Sequence, residues 1–402
     1  MSRSASPPAA ARRMADIAPF HVMELLTRAR QLEAEGRSII HMEVGEPDFP
    51  TPPPIIEAAQ AFIREGKVFY TPALGIPALR EAISRFYAER YGINVSPERI
   101  AVTAGSSGAL LLALAVLLDP GDELLLPDPG YPCNRHFVRT LEGVPHPIAV
   151  GPETNYQPTA EQVALHWRAP CKGLLVASPA NPTGTLIEPA AMSALAACVA
   201  DRGGMLLVDE IYHGLTYATP AAPLGKGCDA GTALALSSDI FVINSFSKYF
   251  GMTGWRLGWL VAPTRFVRDI EKLAQNLFIS PSAPAQYAAL AAFQPETIAL
   301  LEARRAEFQA RRDFLLPALC RLGFSIAAEP RGAFYLYADC AQIASDSDAL
   351  SRQLLEQAGV AITPGRDFGE NAPQRHVRFA YTVARDKLED GVARLARHMG
   401  MR

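Results

Sequence analysis

The sequence predicts an α/β protein: a large domain with a mostly parallel sheet covered by helices on both faces, plus a smaller α+β domain formed by the N-terminal segment and the C-terminal part. Three observations carry this. At 402 residues the chain is too long for one ordinary core. Its middle alternates short β-rich runs with helical stretches. Those runs are apolar on both faces, as the strands of a parallel sheet covered on both sides must be. The expected division is residues 1–48 as N-terminal arm and part of the small domain, 49–295 as the large domain, and 296–402 as the small C-terminal domain.

The elements follow in order. "RIAVTAG" reads as a strand and "SSGALLLALAVLLDPGD" as the helix after it. "DELLLPDPGY" and "GLLVASPANPTG" are strands with their following turns, and "EPAAMSALAACVADRGG" is a helix. "MLLVDEIY", "IFVINSFSK" and "RLGWLVAP" complete the sheet. Beyond it, "PETIALLEARRAEFQARRDFLLPALCRLG" is a long amphipathic helix. Its Arg304, Arg305, Arg311 and Arg312 alternate with Glu302, Glu307 and Asp313, which predicts a solvated face. "GAFYLYAD" and "HVRFAYT" are the strands of the small domain, on which the N-terminal segment is expected to pack.

Composition narrows the function. The chain is 49% hydrophobic and 20% charged with a net charge of -3 and no block of like charges, so it lacks the footprint of a nucleic-acid or anionic-membrane binder. The longest apolar run, "ALLLALAVLL", is half what a membrane span needs and reads as a core helix. The start, "MSRSASPPAAARRM", weakly imitates a transit peptide, but its prolines and missing apolar stretch favour a disordered start. Cys133, Cys171, Cys198, Cys228, Cys320 and Cys340 are scattered without metal-like spacing, so no metal is expected. They read as buried thiols in a reducing compartment, which points to the cytoplasm.

In an open α/β sheet, ligands bind beyond the carboxyl ends of the strands. After "IAVTA" comes Gly105-Ser106-Ser107-Gly108, opening a helix whose backbone N–H groups could hold a phosphate. After "LLVAS" comes Asn181; "MLLVD" ends on Asp209, with Tyr212 just beyond; after "FVINS" comes Lys248. A lysine in that place would ordinarily snorkel to solvent. Here an amide, a carboxylate, a phenol and an amine converge beside a phosphate-like nest. A pyridine-ring cofactor held by its phosphate would use them all. The amine forms a Schiff base with its aldehyde, the carboxylate keeps the ring nitrogen protonated, and phenol and amide bond the ring hydroxyl. Ser245 and Arg256 are then available for the phosphate.

These residues sit in motifs that resemble those of the class I/II aminotransferases, the fold type I pyridoxal-phosphate enzymes. "EVGEPDFPTP", "YTPALGIPALREAI", "GSSGAL", "DPGYP", "NPTG", "DEIY", "SFSKYFGMTGWRLGW" and "VRFAYT" occur in family order over almost the whole chain. The resemblance implies pyridoxal 5'-phosphate as cofactor, with Lys248 as the lysine bonded to it and the base that moves the substrate Cα proton. It implies that Asp209 pairs with the ring nitrogen, that Tyr212 and Asn181 meet the ring oxygen, and that Tyr131 stacks on the ring. Ser106, Ser107, Ser245 and Arg256 resemble the phosphate binders. Tyr70 resembles the tyrosine that reaches the neighbouring subunit's phosphate, which implies a homodimer. Arg378 resembles the arginine that grips the substrate α-carboxylate, and Gly45 the glycine whose backbone approaches it.

The activity implied is transfer of an amino group from an L-amino acid to a 2-oxo acid by a ping-pong mechanism. A carbon–sulfur β-lyase would use the same scaffold and the same residues. A ligand-sensing module of a DNA-binding regulator would need an N-terminal helix-turn-helix, yet the first motif here is reached by residue 45. For the substrate side chain, Arg135, Arg139 and Arg366 are candidate partners of a distal carboxylate, while Phe20, Phe278 and Phe334 suit a neutral or aromatic one. The expectation is broad specificity.

Overall fold

A computed structural model describes residues 9–218 and 231–401. Its strands are β1 (Ile40–His41), β2 (Ile100–Thr103), β3 (Glu123–Asp128), β4 (Val144–Ala149), β5 (Cys171–Ala177), β6 (Met205–Asp209), β7 (Phe241–Ser245), β8 (Gly258–Val261), β9 (Tyr335–Asp339), β10 (Val360–Ala361), β11 (Thr363–Pro364) and β12 (His376–Ala380). Seven form one sheet in the order β2-β8-β7-β6-β5-β3-β4. All its pairings are parallel except those of β8, which runs antiparallel to β2 and β7. The predicted mostly parallel sheet is thus present.

Alternate residues of each strand enter opposite cores, as a pleated strand covered on both faces requires. Leu206 and Val208 of β6 join one apolar cluster and Leu207 the other; Val242 and Ile243 of β7 divide the same way. Several helices start where the sequence signals it. Thr159 and Gln162 form a reciprocal capping box before helix Ala160–His166. Helix Pro77–Tyr91 opens on proline and closes on Gly92 at φ 70°.

The small unit is the antiparallel sheet β11-β12-β9, with Thr363 opposite Arg378 and Arg378 opposite Tyr337. The N-terminal segment joins it, because β1 pairs in parallel with β10, Ile40 opposite Val360. Just beyond that pairing, the Gly45 carbonyl meets Lys248, three residues past the end of β7.

Several expectations need correction. Strand β4, sequence "VPHPIA", was not among the predicted strands: its two prolines cannot complete ladder bonds on both sides, and it occupies the sheet edge, where they need not. The helix Pro295–Arg321 is not solvated along its whole charged face. Arg311 and Arg312 are buried; Arg311 bonds Asp48 at 2.8 Å and Glu307 at 3.0 Å and lies over the Phe49 ring. The cysteines are not uniformly buried: Cys340 is, Cys133, Cys171 and Cys198 are half-buried, and Cys320 is exposed. Cys228 lies outside the described residues, as do residues 1–8 of the expected disordered start. Within the remainder of that start, Arg12–Asp16 forms a single 3-10 helix, and Arg13 pairs with Glu142 at 2.8 Å.

Candidate active site

The carboxyl ends of β6 and β7 bring the predicted groups together. Lys248 follows β7, and its Nζ donates to the carbonyl of Gly45 at 2.7 Å. It lies 5.6 Å from the centre of the Phe334 ring and 5.9 Å from that of Tyr212. Burial, opposed by the nearby Glu46, lowers its amine to about 8. Asp209 ends β6 at 3% exposure and accepts the backbone N–H of Ile211 at 3.1 Å. Burial pushes its carboxyl up to about 7 against that hydrogen bond. An acid and a base of opposite charge are therefore both driven toward neutrality in one crevice, a pattern typical of sites that move protons.

Tyr212 is buried, and its hydroxyl shares a hydrogen bond with that of Tyr335 at 2.9 Å. Tyr131 precedes helix Pro132–Thr140, and its phenol is raised well above the usual range, first by burial and then by Cys133. Asn181 accepts from Arg378 Nη1 at 2.8 Å. Arg378, 2% exposed, also donates through Nη2 to the Glu43 carbonyl at 2.5 Å and to Thr363 Oγ1 at 3.3 Å, and its guanidinium lies over the Tyr335 and Phe368 rings at 4.3 and 4.8 Å. Its Nε is buried without a hydrogen-bond partner among the described residues. A buried guanidinium held in place from one side suits a two-pronged grip on a carboxylate.

The anion cradle lies at the start of helix Gly105–Ala115. Gly105 takes φ 68°, which lets the helix begin directly off β2, and Ser106 and Ser107 stand half-buried in its first turn. A Cβ on Gly105 would sit 2.6 Å from Arg256 Nη2, so the guanidinium occupies the space beside the glycine. Arg256 is exposed and donates to the Thr253 carbonyl at 3.1 Å. Ser245 is buried; its hydroxyl lies 3.0 Å from Ser247 Oγ and 3.3 Å from the Leu257 carbonyl, and accepts the Ser247 N–H at 3.0 Å.

Gly45 is required for close approach, because a Cβ there would collide with the Tyr335 hydroxyl. Tyr70, by contrast with the buried groups around Lys248, is 81% exposed. Of the candidate arginines, Arg135 donates to the Asp367 carbonyl at 2.9 Å, Arg366 pairs with Asp348 at 3.0 Å, and Arg139 stands in the last turn of helix Pro132–Thr140. Phe278 and Phe20 are half-buried, while Phe334 is fully buried beside Lys248. Tyr335, Thr363, Phe368 and the Glu43 carbonyl were not singled out from sequence. For Tyr335 the signal lay in the alternation of "GAFYLYAD", which puts Tyr335 and Tyr337 on one face.

Among the described residues, no helix is long and apolar enough to cross a membrane. Residues 37–395 match the family model described as aminotransferase class I and II. The chain is 39% identical to a valine–pyruvate aminotransferase of Mycobacterium tuberculosis, over 95% of this chain and 96% of that one. It is 34% identical to an aspartate/prephenate aminotransferase of Thermus thermophilus, over 97% and 98%. Among solved structures, an aminotransferase from Mycobacterium tuberculosis superposes with a TM-score of 0.93 at 38% identity, covering 98% of this chain and all of that one.

Proposed function

Because this chain belongs to the class I and II aminotransferases, we propose that it moves an amino group from an L-amino acid with an apolar side chain to a small 2-oxo acid, in two half-reactions of a ping-pong cycle, using pyridoxal phosphate carried on Lys248. The observation that carries this reading is Lys248 itself, a half-buried residue whose amine is lowered to about 8 and meets a carbonyl at 2.7 Å, with Asp209 at the end of the adjacent strand. Pyridoxal phosphate fits the donor set. Ser106, Ser107, Ser245, Arg256 and the helix start would hold its phosphate, Asp209 its ring nitrogen, Tyr212 and Asn181 its ring oxygen, and Tyr131 its ring face. When bound, it supplies an aldehyde for the amine and a ring that accepts electrons.

The chain's own residues do the rest. Arg378 binds the substrate α-carboxylate and fixes its orientation, with the Gly45 backbone close by. An amine near 8 is partly unprotonated at neutral pH, so Lys248 can attack a carbonyl carbon and, once released, take and return a proton at the substrate Cα. Asp209, ionised above about 7, holds a proton opposite it in place. Phe334, Tyr335 and Phe368 wall the site with apolar surface, Arg366 is paired with Asp348, and Arg135 is turned to the Asp367 backbone carbonyl, which favours a neutral substrate side chain. The relative named for valine and pyruvate supports the same choice.

In this reading residues 49–295 form the cofactor-binding domain, and residues 1–48 with 296–402 supply Gly45 and Arg378. The setting is cytoplasmic. The protein is a homodimer in which Tyr70 reaches the neighbouring site; Phe69 at 73% and Tyr70 at 81% exposure suit burial against a partner. Absorbance titration of the cofactor-loaded protein with single amino acids, without any 2-oxo acid, tests the reaction. Valine should convert the cofactor band to its aminated form, and pyruvate should restore it. A band that persists while ammonia and pyruvate accumulate from a β-substituted amino acid would replace aminotransfer by β-elimination.

A further inference from the structure

The site rests on a charged pair that the chemistry above does not use. We propose that half-buried His41 and buried Glu43 form an ion pair that positions Arg378 for the substrate carboxylate, acting through the backbone carbonyl of Glu43; the role in substrate binding rests on the aminotransferase reading.

His41 and Glu43 are two apart on an extended segment and so share a face. His41 Nδ1 lies 2.7 Å from Glu43 Oε1, and its Nε2 lies 3.2 Å from Glu33 Oε1 on helix His21–Ala34. Both ring nitrogens thus face carboxylates, the arrangement of an imidazolium. Glu43 is wholly buried, and its Oε2 has no hydrogen-bond partner among the described residues. The same residue's carbonyl accepts from Arg378 Nη2 at 2.5 Å and from Thr363 Oγ1 at 2.9 Å.

The neighbouring peptides are held by other bonds. Met42 N–H donates to the Ala361 carbonyl at 2.9 Å, Ala380 N–H to the Met42 carbonyl at 2.7 Å, and Thr382 Oγ1 to the Val44 carbonyl at 3.1 Å. The Glu43 peptide has its side chain fixed by His41 and its carbonyl aimed at the arginine. With one partner partly open to solvent and the other buried, such an ion pair returns little stability, and an apolar pair would hold this strand as well. Its place directly behind Arg378 points to orientation.

The charged groups facing His41 are Glu43 and Glu33, which hold its imidazole at about 9, the Glu43 hydrogen bond foremost. From the other elements packed on β1, β10 presents Ala361, and helix Arg385–His398 presents Gly391 beneath Met42. Arg394 on that helix is held by Asp390 and the Ser38 carbonyl. His41 therefore stays charged through the neutral range, and the pair is lost as pH rises through about 9.

The test uses the cofactor-loaded enzyme and compares His41→Gln, Glu43→Gln and the double variant with wild type. Calorimetry with 3-methylbutanoate, a carboxylate without an amino group, reads the grip alone; KM and kcat with valine and pyruvate read turnover. Each single change should weaken 3-methylbutanoate and raise both KM values about tenfold with kcat within about threefold, and the double change should recover most of the loss, because no charge is left unpaired. Single variants that melt earlier yet keep Kd and KM within about twofold would show a merely structural pair and overturn the proposal. Should the single variants not fold, the exposed Glu33→Gln serves: its KM for pyruvate should begin to rise at lower pH than in wild type, and superimposable profiles would overturn the proposal. Wild type that binds 3-methylbutanoate but transfers no amino group would sink the aminotransferase reading and leave the pair's role intact.

Discussion

Burial of Asp209 sets the protonation behaviour of the site. Asp209 is raised from 3.8 to about 7, chiefly by desolvation, so the fold favours its neutral form. Its contribution to stability is fully present below its unfolded value and is lost as pH rises through the folded one. Asn at this position cannot ionise. Cofactor-free Asp209→Asn should therefore melt above wild type beyond pH 7, with the gap closing as pH falls toward 4, while the same variant loses most turnover; thermal unfolding across pH, paired with an activity assay, checks both. Equal melting curves at every pH would mean that Asp209 is not desolvated as described. Lys248, Asp209, Asn181 and Tyr212 could be singled out in the sequence because each closes or follows a recognisable strand, whereas Arg378, in the middle of β12, was reached only through the resemblance of "VRFAYT". Tyr335, Thr363 and the Glu43 carbonyl were reached by neither route. They reach Arg378 through pairings between distant segments, such as the Glu43 carbonyl with Arg378 Nη2, and no local pattern announces such contacts.

Elements deliver these residues by the way they start and stop. Gly105 lets a helix leave β2 without an intervening loop, at φ 68° and against Arg256. Gly105→Ala should cost about 1–2 kcal/mol from the left-handed backbone and, by displacing the guanidinium, weaken retention of pyridoxal phosphate; dialysis followed by cofactor assay reads the second effect. Unchanged retention would remove Arg256 and the helix start from the phosphate site. The parallel strands were legible because each is a continuous apolar run. β4 was hidden by its prolines, which the edge position tolerates. The helix Pro295–Arg321 misled because alternating charge normally marks a wet face, whereas Arg311 turns inward to Asp48 and Phe49 and ties the "EPDF" turn to the small unit.

At the scale of the whole molecule, Tyr70 stands 81% exposed beside Phe69 and Val68, which are also open to solvent. If Tyr70 completes the neighbouring site, mixing inactive Tyr70→Ala and Lys248→Ala proteins should regenerate activity, because each hybrid dimer contains one intact site. Mixtures that stay inactive after confirmed subunit exchange would place Tyr70 outside the site. The fold class and its covered sheet were legible from length and alternation, whereas the meeting of residues 43–45 with β12 depends on the β1–β10 pairing, two residues long, which no periodicity can reveal. Whether Lys248 carries the cofactor can be read by borohydride reduction of the pyridoxal-phosphate-loaded protein followed by peptide mass spectrometry. A phosphopyridoxyl group should appear on the peptide containing Lys248 and be missing in Lys248→Ala; label on another lysine, or equal label in the variant, would assign the cofactor to a different residue.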